Sequence, residues 1–178
     1  MSVTAIEGVV AAGRVPTWII PAALVTTDPV VGAWEIPLSV LNHATTVKID
    51  CHYDMGDVSV SRAPITKTRQ RACQVVQQTV NVGETIDVTI AAVYDQQEAM
   101  SEAVNEAYAA MPQGAEVYIA QAFGWDSAVT PTVATVIDLL PGRVLTRTKN
   151  QPTSPEEDLK FTATVSASNY FEDVELTV

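Results

Sequence analysis

Positive charge is scarce in this chain and missing from its middle: no lysine or arginine occurs between positions 72 and 142. Ten Lys and Arg stand against 21 Asp and Glu among 178 residues, a formal charge of -11. A chain this acidic repels phosphate, which argues against a general nucleic-acid binder. Charged residues of both signs make up only 17% and aromatics 6%, so material for an aromatic binding platform is thin. The most apolar run, positions 15–25, is cut by Pro16 and Pro21 and is too short to span a membrane. The opening stretch, MSVTAIEGVVAAGRV, lacks the basic start and unbroken apolar core of a secretory leader, so use without export is expected. Cys51 and Cys73 could form one bridge at most, and in a chain that is not exported both are expected reduced.

Groups that transfer protons, attack or hold metal are equally sparse. His43 and His52 lie near Asp50, Cys51 and Asp54, but adjacent residues such as Cys51 and His52 point to opposite faces of a strand, and the spacing fits no zinc signature. Asp54-Met-Gly-Asp57 lacks the alternating oxygen ligands and closing Glu of a calcium loop and reads as a polar turn. No Gly-x-Ser-x-Gly elbow, phosphate-cradling glycine loop or dinucleotide fingerprint occurs. Glu156-Glu157-Asp158 sits after Pro152-Thr-Ser-Pro155 and reads as a solvated loop. No catalytic residue, cofactor or metal is therefore expected.

What the chain has is strand material. Val, Thr, Ala and Ile dominate, and the length suffices for one domain with its own core. Residues 1–37, with Pro16, Pro21, Pro29 and Pro37 among Trp18, Ile19, Ile20, Trp34 and Ile36, suit an extended arm or edge segment. One or two strands are expected over 38–53, then a turn at 54–57. The stretch from 58 begins strand-like and becomes a polar, basic loop through Ala63-Pro64 and 67–71; four of the ten cations, Arg62, Lys67, Arg69 and Arg71, lie there. A hairpin is expected from 73–82 and 84–94, turning at Asn81-Val82-Gly83-Glu84, with Ile86, Val88, Ile90, Ala92 and Tyr94 on its buried face.

The period then changes. Asp95 and Glu98 have capping-box spacing, and Met100, Ala103, Val104, Ala107, Tyr108 and Met111 recur at helical intervals, which predicts a helix over 95–111 with Glu98, Glu102 and Glu106 outward. Strands follow at 115–123, 132–140 and 143–149, with turns at 124–127 and at Pro141-Gly142. Leu159, Phe161, Ala163 and Val165 alternate with Lys160, Thr162, Thr164 and Ser166, and Val174, Leu176 and Val178 repeat the pattern after a turn. The expected fold is mainly antiparallel β, a sandwich or half-barrel, with one flanking α-helix.

This order resembles the tail tube (major tail) proteins of long-tailed bacteriophages. The resemblance rests on the polar stretch 57–71 before the hairpin, the Ile86 to Tyr94 strand running into Asp95-Gln-Gln-Glu98, and the Val117-Tyr-Ile119 strand after the helix, and it covers 38–178. It implies a tail-tube-like β domain in the virion tail, assembled in the host cytoplasm and non-enzymatic. Its subunits would form hexameric rings that stack into a tube through which double-stranded DNA passes without being bound. Implied partners are further copies of the chain and the tape measure, tail terminator and distal tail proteins; no membrane is implied. On this reading Arg62, Lys67, Arg69 and Arg71 form an inter-ring contact loop, and Asp87, Glu116 and Asp138 are lumen candidates. The alternative is a β-sandwich binding module, a carbohydrate-binding or tail-tip adhesin domain, for which Trp125, Tyr118 and Phe123 are the one local aromatic group.

Overall fold

A computed structural model describes residues 13–25, 35–70 and 76–178. The elements are β1 (Thr17–Pro21), β2 (Glu35–Pro37), α1 (Leu38–Leu41), β3 (Val47–Lys48), β4 (Val58–Arg69), β5 (Gln78–Val93), α2 (Glu106–Ala110), β6 (Glu116–Gln121), β7 (Val136–Lys149), β8 (Lys160–Ala167) and β9 (Phe171–Thr177). The main path through the sheet is β3-β1-β6-β7-β8-β5-β4, antiparallel throughout; β9 pairs antiparallel with β7, and β2 lies parallel on β9. The fold class is the expected one: antiparallel β with little helix.

Two cores follow from the way this sheet curls. Inside the curl, Ile86, Val88 and Ile90 of β5 and Phe161, Ala163 and Val165 of β8 meet Ile19, Val117, Ile119 and Leu140 from the opposite strands. Trp18, Ile20, Ala120, Ile137 and Leu139 point the other way, into a second core closed by Ile36, Val40, Leu41, Val174 and Leu176. Strands β1 and β6 are thus covered on both faces. Each buried Ile, Leu or Phe there stabilises the fold by roughly 1.5–3 kcal/mol.

Strand β7 joins the two halves by changing partner. Residues Val136 to Leu139 pair with β9, whereas Gly142 to Lys149 pair with β8. The Pro141-Gly142 pair, which the sequence marks as a turn, lies inside this one continuous strand, at the switch. Gly142 is there for space: a Cβ would stand 2.7 Å from the Ser166 carbonyl oxygen and 2.7 Å from Val165 Cγ1. Its φ is not in the left-handed region, so close approach of β8, rather than turn geometry, explains the glycine.

The basic stretch after Asp57 is likewise a strand, not a loop. Val58 to Arg69 pair with β5 along the whole length of β4, and Pro64 is tolerated because β4 is a terminal strand of the sheet. The expected turn at Asn81-Val82-Gly83-Glu84 is interior to β5; its glycine accompanies a bulge, where Ile65 pairs with Gly83 and Thr66 with Asn81, leaving Val82 as the extra residue. Of residues 70–77, which connect β4 and β5, 71–75 lie outside the described residues.

The helix is much shorter than its periodicity predicts. Only Glu106–Ala110 is α-helical, after a 3-10 turn at Ala103–Asn105. Asp95 Oδ1 accepts the Gln97 N–H, an Asx turn in place of the capping box. Buried Asn105 holds the preceding loop: its Oδ1 accepts from Asp95 N at 2.9 Å, and its Nδ2 donates to the carbonyls of Asp95, Glu98 and Ala99. Ala107 and Met111 are in the core as expected, whereas Met100 is exposed. Near the N-terminus, Leu38–Leu41 is a helical turn where strand was expected, and β3 has only two residues.

Candidate functional site

Strand edges come first. β4 ends the sheet path, so one side of a twelve-residue strand has no partner among the described residues. Past Val144, β7 pairs with β8 alone, leaving 145–149 without a second strand among the described residues. Among the described residues, the four-stranded portion β7-β8-β5-β4 therefore has an edge without a partner strand at each side; on the β7 edge the Gln113 side chain caps the Leu145 carbonyl, its Nε2 donating at 3.0 Å. Unpaired edges template pairing with another chain.

The face of this portion turned away from the core is carpeted with hydroxyls. One transverse row reads Ser59, Thr89, Thr164 and Thr146; the next reads Ser61, Asp87, Ser166, Arg143 and Glu116. Cross-strand partners share a face. Two lumen candidates, Asp87 and Glu116, thus fall in one row with Arg143 between them. Asp138 does not join them: it sits on the side of Ile119 and Leu140, accepting from the Tyr170 hydroxyl at 2.5 Å and from Asp173 N at 3.1 Å. Burial, then the Asp138 carboxylate, push the Tyr170 phenol well above its ordinary range and keep it a neutral donor.

The third feature is the far half of the β4–β5 hairpin. β8 last pairs with β5 at Ile86, so residues 78–85 and their β4 partners run on alone, about 25 Å at strand rise. Arg62 anchors the base of this arm: it donates to Glu84 (3.2 Å) and to Glu172 on β9 (3.3 Å), and lies 5.2 Å over the Tyr170 ring. Arg62 is thereby occupied within its own chain. Lys67 and Arg69 lie further out, opposite Val80 and Gln78, with no ion pair among the described residues. Arg71 falls outside the described residues. Sequence reasoning found Arg62, Lys67 and Arg69 but not the strand that carries them.

Other sequence candidates have local roles. His52 Nε2 donates to the Ala103 carbonyl at 2.8 Å, and His43 Nδ1 lies 2.9 Å from Thr45 Oγ1. Cys51 is an exposed free thiol; Cys73 is outside the described residues. No group of three or more His, Cys, Asp or Glu able to hold a metal occurs among the described residues. Trp125 and Tyr118 pack on the second core, and the indole N–H donates to the Val129 carbonyl, so Phe123 alone of that aromatic group is mostly exposed. No described helix is long and apolar enough to cross a membrane.

No protein-family model matches the sequence, and no curated protein matches it either. Among solved structures, the SPP1 phage tail tube matches with a TM-score of 0.51 at 8% identity, over 93% of this chain and 79% of that one. The fold is tail-tube-like. The baseplate of the anti-feeding prophage is a further structural neighbour, with a TM-score of 0.47, 8% identity and 96% of each chain covered. In a tail-tube-like fold with so little shared sequence, the features above belong to this chain's own residues.

Proposed function

We propose that this protein is a structural subunit of a phage tail tube, six copies closing into a ring and rings stacking into a conduit for double-stranded DNA. The observation that carries this reading is the pair of strand edges on opposite sides of the β7-β8-β5-β4 portion without a partner strand among the described residues, of which the β7 edge is capped by the Gln113 side chain at Leu145. An edge on each side lets β4 of one copy add to the free half of β7 in the next, head to tail, and a rotation that closes gives a ring. Closure satisfies backbone groups that an isolated copy leaves to water.

The hydroxyl face would then line the lumen, with Asp87 and Glu116 contributing carboxylates. Such a wall offers duplex DNA few cations to exchange for its condensed counterions, which is what a conduit requires. Tape measure, terminator and distal tail proteins would be its partners at the tube ends, and the virion tail its location. No catalytic role is assigned. Light scattering of the purified chain across concentration tests the reading: mass should rise toward six protomers and beyond. A single-protomer mass throughout, including with tail-tip complexes present as nuclei, would overturn it.

A further inference from the structure

The two strand edges are protected by different means. β4 carries Pro64, Lys67 and Arg69, residue types that blunt an edge from within the strand. The β7 edge is guarded by a neighbouring segment. There the chain leaving α2 turns at Pro112 to Ala115: Ala115 N donates to the Pro112 carbonyl at 3.0 Å, and Gly114, at φ 85°, supplies the left-handed corner. Gly114 N then donates to the Val144 carbonyl at 2.8 Å and Val144 N to the Ala115 carbonyl at 2.9 Å, which seals β7 as far as Val144. Leu145, the extra residue of the β7 bulge, opens the free half of the strand, and its carbonyl accepts from Gln113 Nε2 at 3.0 Å.

Cations of β7 fix this segment in place. Arg147 Nη1 donates to the Tyr108 carbonyl at 2.7 Å while its guanidinium lies 3.7 Å over the Tyr108 ring, Arg143 Nε donates to the Gly114 carbonyl at 3.0 Å, and Lys149 Nζ donates to Gln96 Oε1 at 2.6 Å. Gln113 and Leu145 are both exposed. A bond between an exposed amide and an exposed carbonyl adds little to the fold, since water serves both groups nearly as well. Its consequence lies at the edge, where it occupies the first acceptor that a strand arriving at the free half of β7 meets.

We infer that Gln113 is an autoinhibitory cap on the β7 edge, holding the Leu145 carbonyl in the free chain and releasing it when β4 of a second copy pairs there. This rests on the reading that β4 adds to β7, and names the contact that such pairing must first break. Arg143 and Arg147 need not let go, because the carbonyls they hold, those of Gly114 and Tyr108, belong to the neighbouring segment and not to the edge. One hydrogen bond is broken for each copy added, so the cap raises the concentration at which copies join by roughly two- to tenfold.

The test is removal of the donor. Gln113→Ala, and Gln113→Met, which keeps the length of the side chain without its amide, should each leave the melting temperature of the free chain within about 2 °C of wild type. Each should lower the concentration at which light scattering detects rings by roughly two- to tenfold. A labelled peptide spanning positions 58–69, the sequence of β4, should bind either variant more tightly than wild type by the same factor. Assembly of either variant at the wild-type concentration overturns the cap; assembly only at a higher concentration overturns it as well, by making Gln113 a contact within the ring. If neither wild type nor variants assemble with tail-tip complexes present as nuclei, the tube reading falls and the peptide decides the cap alone: equal affinity for wild type and variants, or binding to none of them, overturns it.

Discussion

Gly142→Ala isolates the point at which β7 leaves β9 and joins β8. The new methyl would stand 2.7 Å from Ser166 O, 2.7 Å from Val165 Cγ1 and 3.0 Å from Ala167 Cα, and two of these three atoms are backbone. Neither a rotamer change nor solvent can relieve that, so β8 must move. Overpacking of this kind costs about 1–3 kcal/mol, and distorting a β7–β8 hydrogen bond adds about 1 kcal/mol. The smaller conformational freedom of alanine in the unfolded chain returns about 0.4–1 kcal/mol. The balance is a loss of about 2–3 kcal/mol, which for a domain of this size lowers Tm by about 4–12 °C. Gly83→Ala is the control, since its Cβ would meet only Ile65 Cδ1 at 3.9 Å and its φ is not left-handed; its Tm should stay within about 2 °C. Thermal melts should be run at one protein concentration, because assembly raises apparent stability. Equal melting of the two variants, or a Gly142→Ala protein at least as stable as wild type, would refute the close-approach argument.

Asn105→Ala should cost about 2–4 kcal/mol, because a buried amide with four bonds is lost and the groups it held are left without partners; hydrogen exchange at Asp95 N should accelerate, and unchanged protection there would count against the latch. Lys160 is held above its ordinary pKa by hydrogen bonds from its ammonium to Asp54 and then Asp57. Its contribution is therefore complete below the unfolded lysine pKa of about 10.4 and fades as pH rises through the higher folded value. The Tm gap between wild type and Lys160→Met should be flat from about pH 7 to 10 and narrow only above that; a gap that closes near neutrality would contradict the pairing.

How much of this could be read from residues alone depends on what each signal measures. Alternation in β8 and the inner half of β5 was legible because one face is core and the other wet: Phe161, Ala163, Val165, Ile86, Val88 and Ile90 are all buried. Punctuation was misleading where tertiary contacts took over its usual meaning. Pro64 is compatible with a terminal strand, Gly83 with a bulge, and Gly142 with a neighbour's approach; none of them turns the chain. The outer part of β4 has no apolar face to bury, so nothing in its pattern distinguishes a paired strand in solvent from a loop. The helix was overextended because Met100 and Val104 keep helical spacing while Asn105 spends its amide on the loop before it. At the candidate surface, Arg62, Lys67 and Arg69 were visible as a basic run, but Arg62's engagement with Glu172, over a hundred positions away, was not. The row that brings Glu116, Arg143 and Asp87 together depends on strand order and register, which a single sequence does not display.

Electron microscopy of the purified protein, carried to a resolution that traces strands, tests the central claim most directly. The account predicts six-fold rings in which β4 of each copy adds to the free half of the next copy's β7, with Ser61, Asp87 and Ser166 facing the lumen and α2 outside. Monomers under all conditions, or rings in which β4 stays unpaired and the hydroxyl face points outward, would contradict it.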